Sequence, residues 1–269
     1  MKISFIGGGN MARALIGGLL AQGWQATDIG VIELDAAKQQ QLRDDFGIQV
    51  GDQLPSVAMA DIVVLAIKPQ QLRDIAIFLG SLLRNQLVIS IAAGIRSADL
   101  IRWLGGYDAV VRVMPNTPAQ IRLGVSALHA APGVSAAQRE QAQSVLGAVG
   151  TSVWLDDEAQ MDAVTAISGS GPAYVFYFIE AMQQAAAELG LSPEQARELS
   201  LQTFMGASHL ALQSAETPDV LRTQVTSKGG TTERALASME AAGVKSAIVN
   251  ALHAAADRSR ELGDLLGRD

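Results

Sequence analysis

Along the first 155 positions, apolar residues gather into short unbroken runs separated by longer segments of helical periodicity. The runs are residues 2–6, 28–32, 61–67, 86–91, 109–113, 125–130 and 152–155. Runs of this length bounded by turn residues predict buried strands, and continuous apolarity with little alternation is typical of a parallel sheet covered on both faces. Between them, residues 11–16 resume with helical spacing and Gly23 ends that helix. Residues 36–46 predict a second helix closed by Gly47, and 55–60 a short helical turn. Ser135-x-x-Gln138 offers a capping box for a helix reaching 149.

From residue 157 the strand signals stop. Residues 162–167 are helical, Ser168-Gly-Ser-Gly171 interrupts them, and Pro172 suits the first position of a helix running to 189. Tyr174, Phe176, Tyr177 and Phe178 fall on nearly every side of that helix, which predicts burial all round. Ser192-Pro-Glu-Gln195 opens a helix to 214, and residues 244–262 carry one apolar stripe at 244, 248, 251, 252 and 255. The pattern predicts an α/β Rossmann-type doubly wound sheet followed by an all-α domain. The expected domains are 1–160, binding a dinucleotide, and 161–269, binding substrate and dimerising.

Composition narrows the function. With 269 residues there is room for two ordinary cores, and 49% hydrophobic against 17% charged residues is globular, not disordered. A net charge of −7 without any Lys/Arg run argues against a nucleic-acid surface. There is no cysteine, which excludes disulfides and thiolate chemistry, and His129, His209 and His253 have no ligand spacing, so no metal is expected. The chain opens directly on a charged residue and a strand, and its most apolar stretch, 173–179, is too short to span a bilayer. A cytoplasmic protein with no membrane partner is the expectation.

The candidate chemistry begins at the first turn. Gly7, Gly9 and Ala12 fit G-x-G-x-x-G/A between a strand and a helix, the context in which that pattern binds a pyrophosphate on helix amides. Glu33, at the end of the second strand and 21 positions after Ala12, stands where such a fold meets the adenosine ribose. A carboxylate there would accept from a free 2′-OH and repel a 2′-phosphate. Equally, Glu33 or Asp35 could simply start the next helix. Further strands end in Lys68-Pro69, Ala92-Ala-Gly94 and Met114-Pro-Asn116, delivering small or rigid residues to the carboxyl edge where ligands bind. Lys68 is read as an amine in solvent or beside phosphate, with a catalytic amine as the alternative, and Arg112 receives no role. In the second half, Thr226, Ser227, Thr231 and Thr232 surround Gly229-Gly230 ahead of a helix. This is either a small carboxylate site or a turn followed by N-capping from Thr231 or Thr232.

These segments together resemble the 1-pyrroline-5-carboxylate reductases from end to end. The resemblance rests on FIGGGNM at 5–11, LAIKPQ at 65–70, SIAAG at 90–94, VMPNTP at 113–118, SGSGPAY at 168–174, and 218–239 with its Gly229-Gly230-x-Thr232 and Ala235-Leu236. It implies NAD(P)H-dependent reduction of the cyclic imine to L-proline, the last step of proline biosynthesis. It also implies homodimers through the helical domain, commonly assembled into decamers. Carried over by position, the coenzyme would touch Ile6, Gly7, Gly8, Gly9, Asn10 and Met11; Ala66, Ile67, Lys68 and Pro69; and Ala92, Ala93 and Gly94. The substrate carboxylate would sit on Ser227, Gly229, Gly230, Thr231 and Thr232. Thr232 corresponds to the threonine taken as catalytic, which bonds the imine nitrogen. Three positions depart from the usual pattern. Lys228 replaces a frequent proline, Gln53 stands where asparagine often contacts the adenine ribose, and Glu33 replaces the Ser, Asn or Arg of many NADPH-preferring members. Both NADPH and NADH are therefore carried forward.

Two rival readings are a β-hydroxyacid dehydrogenase-like oxidoreductase and a non-catalytic nucleotide-binding regulator. The first would need a lysine on the first long interdomain helix, and residues 162–182 hold no Lys, Arg or His. The intact Gly-Gly-x-Thr segment argues against the second.

Overall fold

The computed structural model describes residues 1–268, and the apolar runs fold as strands of one eight-stranded sheet. These are β1 Ile3–Ile6, β2 Ile29–Ile32, β3 Gln49–Gly51, β4 Ile62–Leu65, β5 Leu87–Ser90, β6 Val110–Met114, β7 Gly124–Ala130 and β8 Gly150–Trp154, in the order β3-β2-β1-β4-β5-β6-β7-β8. Pairing is parallel from β3 to β6. β7 then runs antiparallel to β6, and β8 parallel to β7. The short β3 has only three residues, one exposed and two partly buried, so no apolar run announces it.

Side chains alternate across the pleat, and each face is covered by its own helices. On one face Ile3, Phe5, Ile62, Val64 and Ile89 meet Ala12, Leu15, Ile16 and Leu19 of α1 (Asn10–Ala21), with Leu42 of α2 (Ala36–Phe46). On the other, Val63, Leu65 and Val88 meet Leu72, Ala76 and Leu79 of α3 (Pro69–Gly80) and Leu100 and Trp103 of α4 (Ser97–Trp103). Leu15, Ile16 and Leu19 are fully buried, and each contributes about 1.5–3 kcal/mol by leaving water. Helix α5 (Ala136–Gly147) returns to the α1 face through Ala142, Val145 and Leu146, and Ser135 and Gln138 form its capping box as expected. The chain reverses direction across the sheet between β1 and β4. That switch point is where open α/β sheets leave a crevice at their carboxyl ends.

After β8 come α6 (Met161–Val164), a π-helical turn (Thr165–Gly169), α7 (Gly171–Glu188), α8 (Pro193–Gln213), α9 (Pro218–Gln224), α10 (Thr231–Ala241) and α11 (Val244–Leu266). By packing, the chain divides into two compact units. One is Met1–Ser170 with Ala255–Asp269, and the other is the wholly helical Gly171–Ala254. The expected division at 160/161 takes no account of two contacts. Ser259 is buried and its hydroxyl donates to Asp162 at 2.7 Å, and Arg96 pairs with Asp264 at 2.6 Å. Both bind the end of α11 to the sheet-bearing unit.

Helix α7 departs from expectation. It packs on α8, yet none of its residues is buried within one chain, and Phe176 and Tyr177 are 65% and 72% exposed. α8 covers one face of a helix whose apolar residues point in every direction. Among the described residues, no helix is long and apolar enough to cross a membrane.

Candidate active site

The glycine turn after β1 is held from two sides. Gly7 adopts φ +98°, donates to the Ile32 carbonyl at 2.8 Å, and lies so close to β4 that an added Cβ would stand 2.6 Å from the Ala66 oxygen. Only glycine satisfies both the left-handed backbone and that approach. Gly9 precedes α1 with extended backbone and no side-chain cap, and a Cβ placed there would meet nothing within 4 Å. The first-turn amides of Asn10, Met11 and Ala12 thus face an open approach, at the end of the helix where the dipole favours an anion. Ile6, Gly7 and Gly8 are buried, whereas Gly9 and Asn10 are exposed. This is a cradle whose shape fits a dinucleotide pyrophosphate.

The neighbouring strands complete the edge. Ala66 and Ile67 follow β4, with the Ala66 amide on the Ile6 carbonyl at 2.8 Å. The exposed Lys68 precedes α3, which Pro69 opens. Ala92, Ala93 and Gly94 follow β5, with Gly94 at φ +79° and backed by Leu262 and Leu266 of α11. Since β1, β4 and β5 are adjacent, these three turns lie side by side on the carboxyl edge.

Glu33 is more engaged than a lone strand-end carboxylate. One oxygen accepts from the Gly8 amide at 3.0 Å, and the other from Leu34 and Asp35 at 2.9 and 3.0 Å. The helix start belongs to Asp35 instead, which accepts from Ala37 and Lys38 and caps α2. Gln53 turns its amide to Asp52 and lines a separate groove of about 290 Å³ with Lys2, Thr27 and Gln49. No side-chain hydrogen bond among the described residues joins it to the glycine turn.

Sequence reasoning gave two further groups no role. Asn116, buried beyond β6, donates to the Ser168 carbonyl at 3.2 Å and accepts from Val125 at 3.0 Å, tying the strand end to the π-helical turn. Arg112, on β6, is buried against Glu158 at 2.8 Å, and Glu158 also accepts from the Ser97 amide at 2.7 Å. Burial pushes the Glu158 carboxyl up. The Ser97 amide and the Arg112 guanidinium outweigh this and hold it below its ordinary value. A lone arginine within an apolar strand was the available signal, but the partner lies 46 residues away.

In the helical unit, the cap of α10 is Gly230, not Thr231 or Thr232, which are its first two residues. Gly230 is extended and carries no side-chain oxygen, so the cap leaves the first-turn amides free. Gly229 takes φ +73°, and its amide donates to Glu233 at 2.7 Å; the Gly230 amide donates to the Ser227 carbonyl at 3.0 Å. Among the described residues, the Thr231 and Thr232 hydroxyls have no partner within the chain. Free amides and two hydroxyls at one helix start are hydrogen-bond donors of the kind that suit a small carboxylate. No group of three His, Cys, Asp or Glu side chains among the described residues is placed to hold a metal ion.

Comparison with known proteins agrees with this architecture. The family described as pyrroline-5-carboxylate reductase dimerisation matches residues 158–262, and that described as NADP oxidoreductase, coenzyme F420-dependent, matches residues 2–94. The chain is 50% identical to a pyrroline-5-carboxylate reductase of Pseudomonas aeruginosa over 269 residues, covering 99% of this chain and 98% of that protein. A solved pyrroline-5-carboxylate reductase from Coxiella burnetii superposes with TM-score 0.91 at 39% identity, covering 97% and 98% of the two chains. The Plasmodium falciparum pyrroline carboxylate reductase, solved with NADP bound, gives 0.89 at 28% identity, covering 98% of both. With half its residues identical to such an enzyme from end to end, the chain belongs to the pyrroline-5-carboxylate reductase family.

Proposed function

We propose that the protein reduces 1-pyrroline-5-carboxylate to L-proline with a reduced pyridine nucleotide, the last step of proline biosynthesis. The observation that carries this is the start of α10, where a glycine cap leaves amides and the Thr231 and Thr232 hydroxyls free, within a chain half identical to a named reductase. The nucleotide, when bound, supplies the hydride. The residues expected to hold it are Ile6 to Met11 around the glycine turn, Ala66 to Pro69 and Ala92 to Gly94, with Glu33 at the adenosine ribose.

The carboxylate of the imine is received by Ser227, Gly229, Gly230, Thr231 and Thr232. A threonine hydroxyl is too weak an acid to protonate nitrogen by itself, so Thr232 orients the nitrogen of an imine that arrives already protonated. Addition of hydride to that iminium carbon then yields the neutral ring amine. Positioning and exclusion of water supply most of the acceleration. NADH and NADPH are both candidate donors, and Glu33 makes NADH a competent one.

Residues 161–269 serve as substrate and dimerisation domain. The exposed apolar surface of α7 and α8, including Phe176, Tyr177, Leu199 and Met205, is the kind of face that a second copy covers. Further assembly of homodimers into decamers follows the family pattern, and a cytoplasmic location suits a small-molecule reductase. Oxidation of NADH or NADPH with 1-pyrroline-5-carboxylate, and no reduction of NAD⁺ or NADP⁺ with 3-hydroxy acids, is the expected assay result. Reduction of NAD⁺ or NADP⁺ by 3-hydroxy acids alone would favour the dehydrogenase reading, and no turnover of either would favour a regulator.

A further inference from the structure

The turn after β5 borrows its shape from the far end of the sequence. Among the described residues, neither the amides nor the carbonyls of Ala93, Gly94 and Ile95 make a backbone hydrogen bond. The turn is anchored beyond these residues, where the Ser97 amide donates to Glu158 at 2.7 Å. What backs Gly94 itself is the end of α11, which belongs to the same compact unit.

Two glycines make that contact close. A Cβ added at Gly94 would stand 3.1 Å from Leu266 and 3.7 Å from Leu262. One added at Gly263 would stand 3.3 Å from the Gly94 carbonyl oxygen and 3.1 Å from the Arg96 guanidinium. Helix backbone and turn backbone therefore lie against each other with no side chain between them. Glycine weakens a helix interior, and at 263 that weakness accompanies the close approach. Polar ties surround it. Arg96 donates to the Asp264 carboxylate at 2.6 Å and to the Arg260 carbonyl at 3.4 Å, and Arg102 donates to the Gly267 carbonyl at 2.7 Å.

Strand order gives this clamp a function. The adenosine end of a dinucleotide belongs to β2 and its pyrophosphate to the glycine turn after β1. The turn after β5, two strands further on, falls to the nicotinamide half. We infer that the last two turns of α11 are a positioning element for the nicotinamide half of the coenzyme, with Gly263 and Arg96 as positioning residues. This rests on the proposed reading of Ala92 to Gly94 as a coenzyme contact, and goes beyond it by assigning a role to residues that act only through that turn. Hydride transfer needs its reacting atoms within about 3–3.5 Å, so a displaced turn costs rate as well as affinity.

The test compares full-length wild type with Gly263→Val, Arg96→Ala, Arg96→Lys and Arg258→Ala, each checked for folding by thermal melts. Arg258→Ala is the control, because it removes an exposed ion pair with Glu261 within α11. Calorimetry with NAD⁺ and NADP⁺ reads the whole coenzyme, and with ADP and 2′-phospho-ADP the adenosine half alone. Gly263→Val should weaken the better-bound dinucleotide about tenfold and lower kcat with 1-pyrroline-5-carboxylate by a similar factor. Arg96→Ala, which breaks a partly exposed pair, should cost about two- to fivefold, and Arg96→Lys should regain most of it. Affinity for the adenosine-half ligands should stay within about twofold of wild type throughout, as should every value for Arg258→Ala. A loss confined to kcat or to dinucleotide affinity supports the inference equally, since either reads the nicotinamide half. No loss in Arg96→Ala and in a folded Gly263→Val overturns it, as does an equal loss for the adenosine-half ligands or in the control. If Gly263→Val fails to fold, Arg96→Ala and its lysine rescue decide. Binding of none of the four ligands by wild type overturns the nucleotide reading and the inference with it. Binding without turnover of the imine overturns the assigned reaction, and the affinities then decide the inference.

Discussion

Removing Glu158 tests whether a buried ion pair holds the strand end beside the site. The Arg112 side chain is 9% exposed and that of Glu158 24%, and one carboxylate oxygen serves both the guanidinium and the Ser97 amide. Glu158→Ala leaves a buried cation without its counter-charge and an amide without an acceptor. Breaking a buried pair from one side costs about 3–5 kcal/mol. The partial exposure of Glu158 places the expectation near 3 kcal/mol, roughly a hundredfold in the folding equilibrium. Arg112→Met/Glu158→Ala should cost clearly less than the sum of the two single changes, because no charge is then stranded. Urea unfolding of all four proteins at one fixed concentration measures this coupling. The folded carboxyl sits below its unfolded value of 4.5. Its contribution is therefore complete above about pH 4.5 and lost as pH falls through the folded value, so wild type and Glu158→Gln should converge in acid. Strict additivity in the double mutant, or a gap between wild type and Glu158→Gln that persists in acid, would refute the argument.

Four other outcomes are expected. Thr232→Ala should lower kcat by about 10- to 100-fold, the loss of one charge-assisted orienting bond, while calorimetry shows coenzyme affinity unchanged. Glu233→Ala frees the Gly229 amide and removes a negative charge from the first turn of α10. L-Proline should then bind about two- to fivefold more tightly, and unchanged affinity would mean that amide is not part of the carboxylate site. Gly18→Ala should destabilise by about 1–3 kcal/mol, since its Cβ would lie 2.4 Å from the Ala148 carbonyl, whereas Gly17→Ala, with only Phe46 at 3.6 Å, should be neutral or stabilising in thermal melts. Phe176→Asp should shift the mass measured by light scattering towards monomer if α7 is the dimer face.

Much of the fold was legible because its signals are local. Strand runs such as 61–67 need no partner to be recognised, since burial on both faces demands apolar residues at every position. The capping boxes at Ser135 and Ser192 were equally readable, because cap and acceptor lie three residues apart. β3, with half-exposed residues and no apolar run, was not. The cap of α10, for which Thr231 and Thr232 are the sequence's candidates, falls elsewhere for a related reason. Ser, Thr and Asn are the usual caps, and Gly230 takes the position because its backbone, not its side chain, fits. For α7 the residue pattern signalled burial, but one chain does not supply the surface that covers it.

The sequence by itself determined the layered α/β order, the glycine turn, the helical second half and the segments that mark the family, all set by periodicity and short-range motif. Tertiary structure alone decided which polar groups meet. It turned Arg112 inward onto Glu158, set Asn116 between Val125 and Ser168, and gave Glu33 three amides from two separate turns. Three of those partners, Glu158 to Arg112, Ser168 to Asn116 and Gly8 to Glu33, lie 46, 52 and 25 residues away. A hydrogen bond needs about 3 Å and a fixed direction, and only the assembled backbone supplies both.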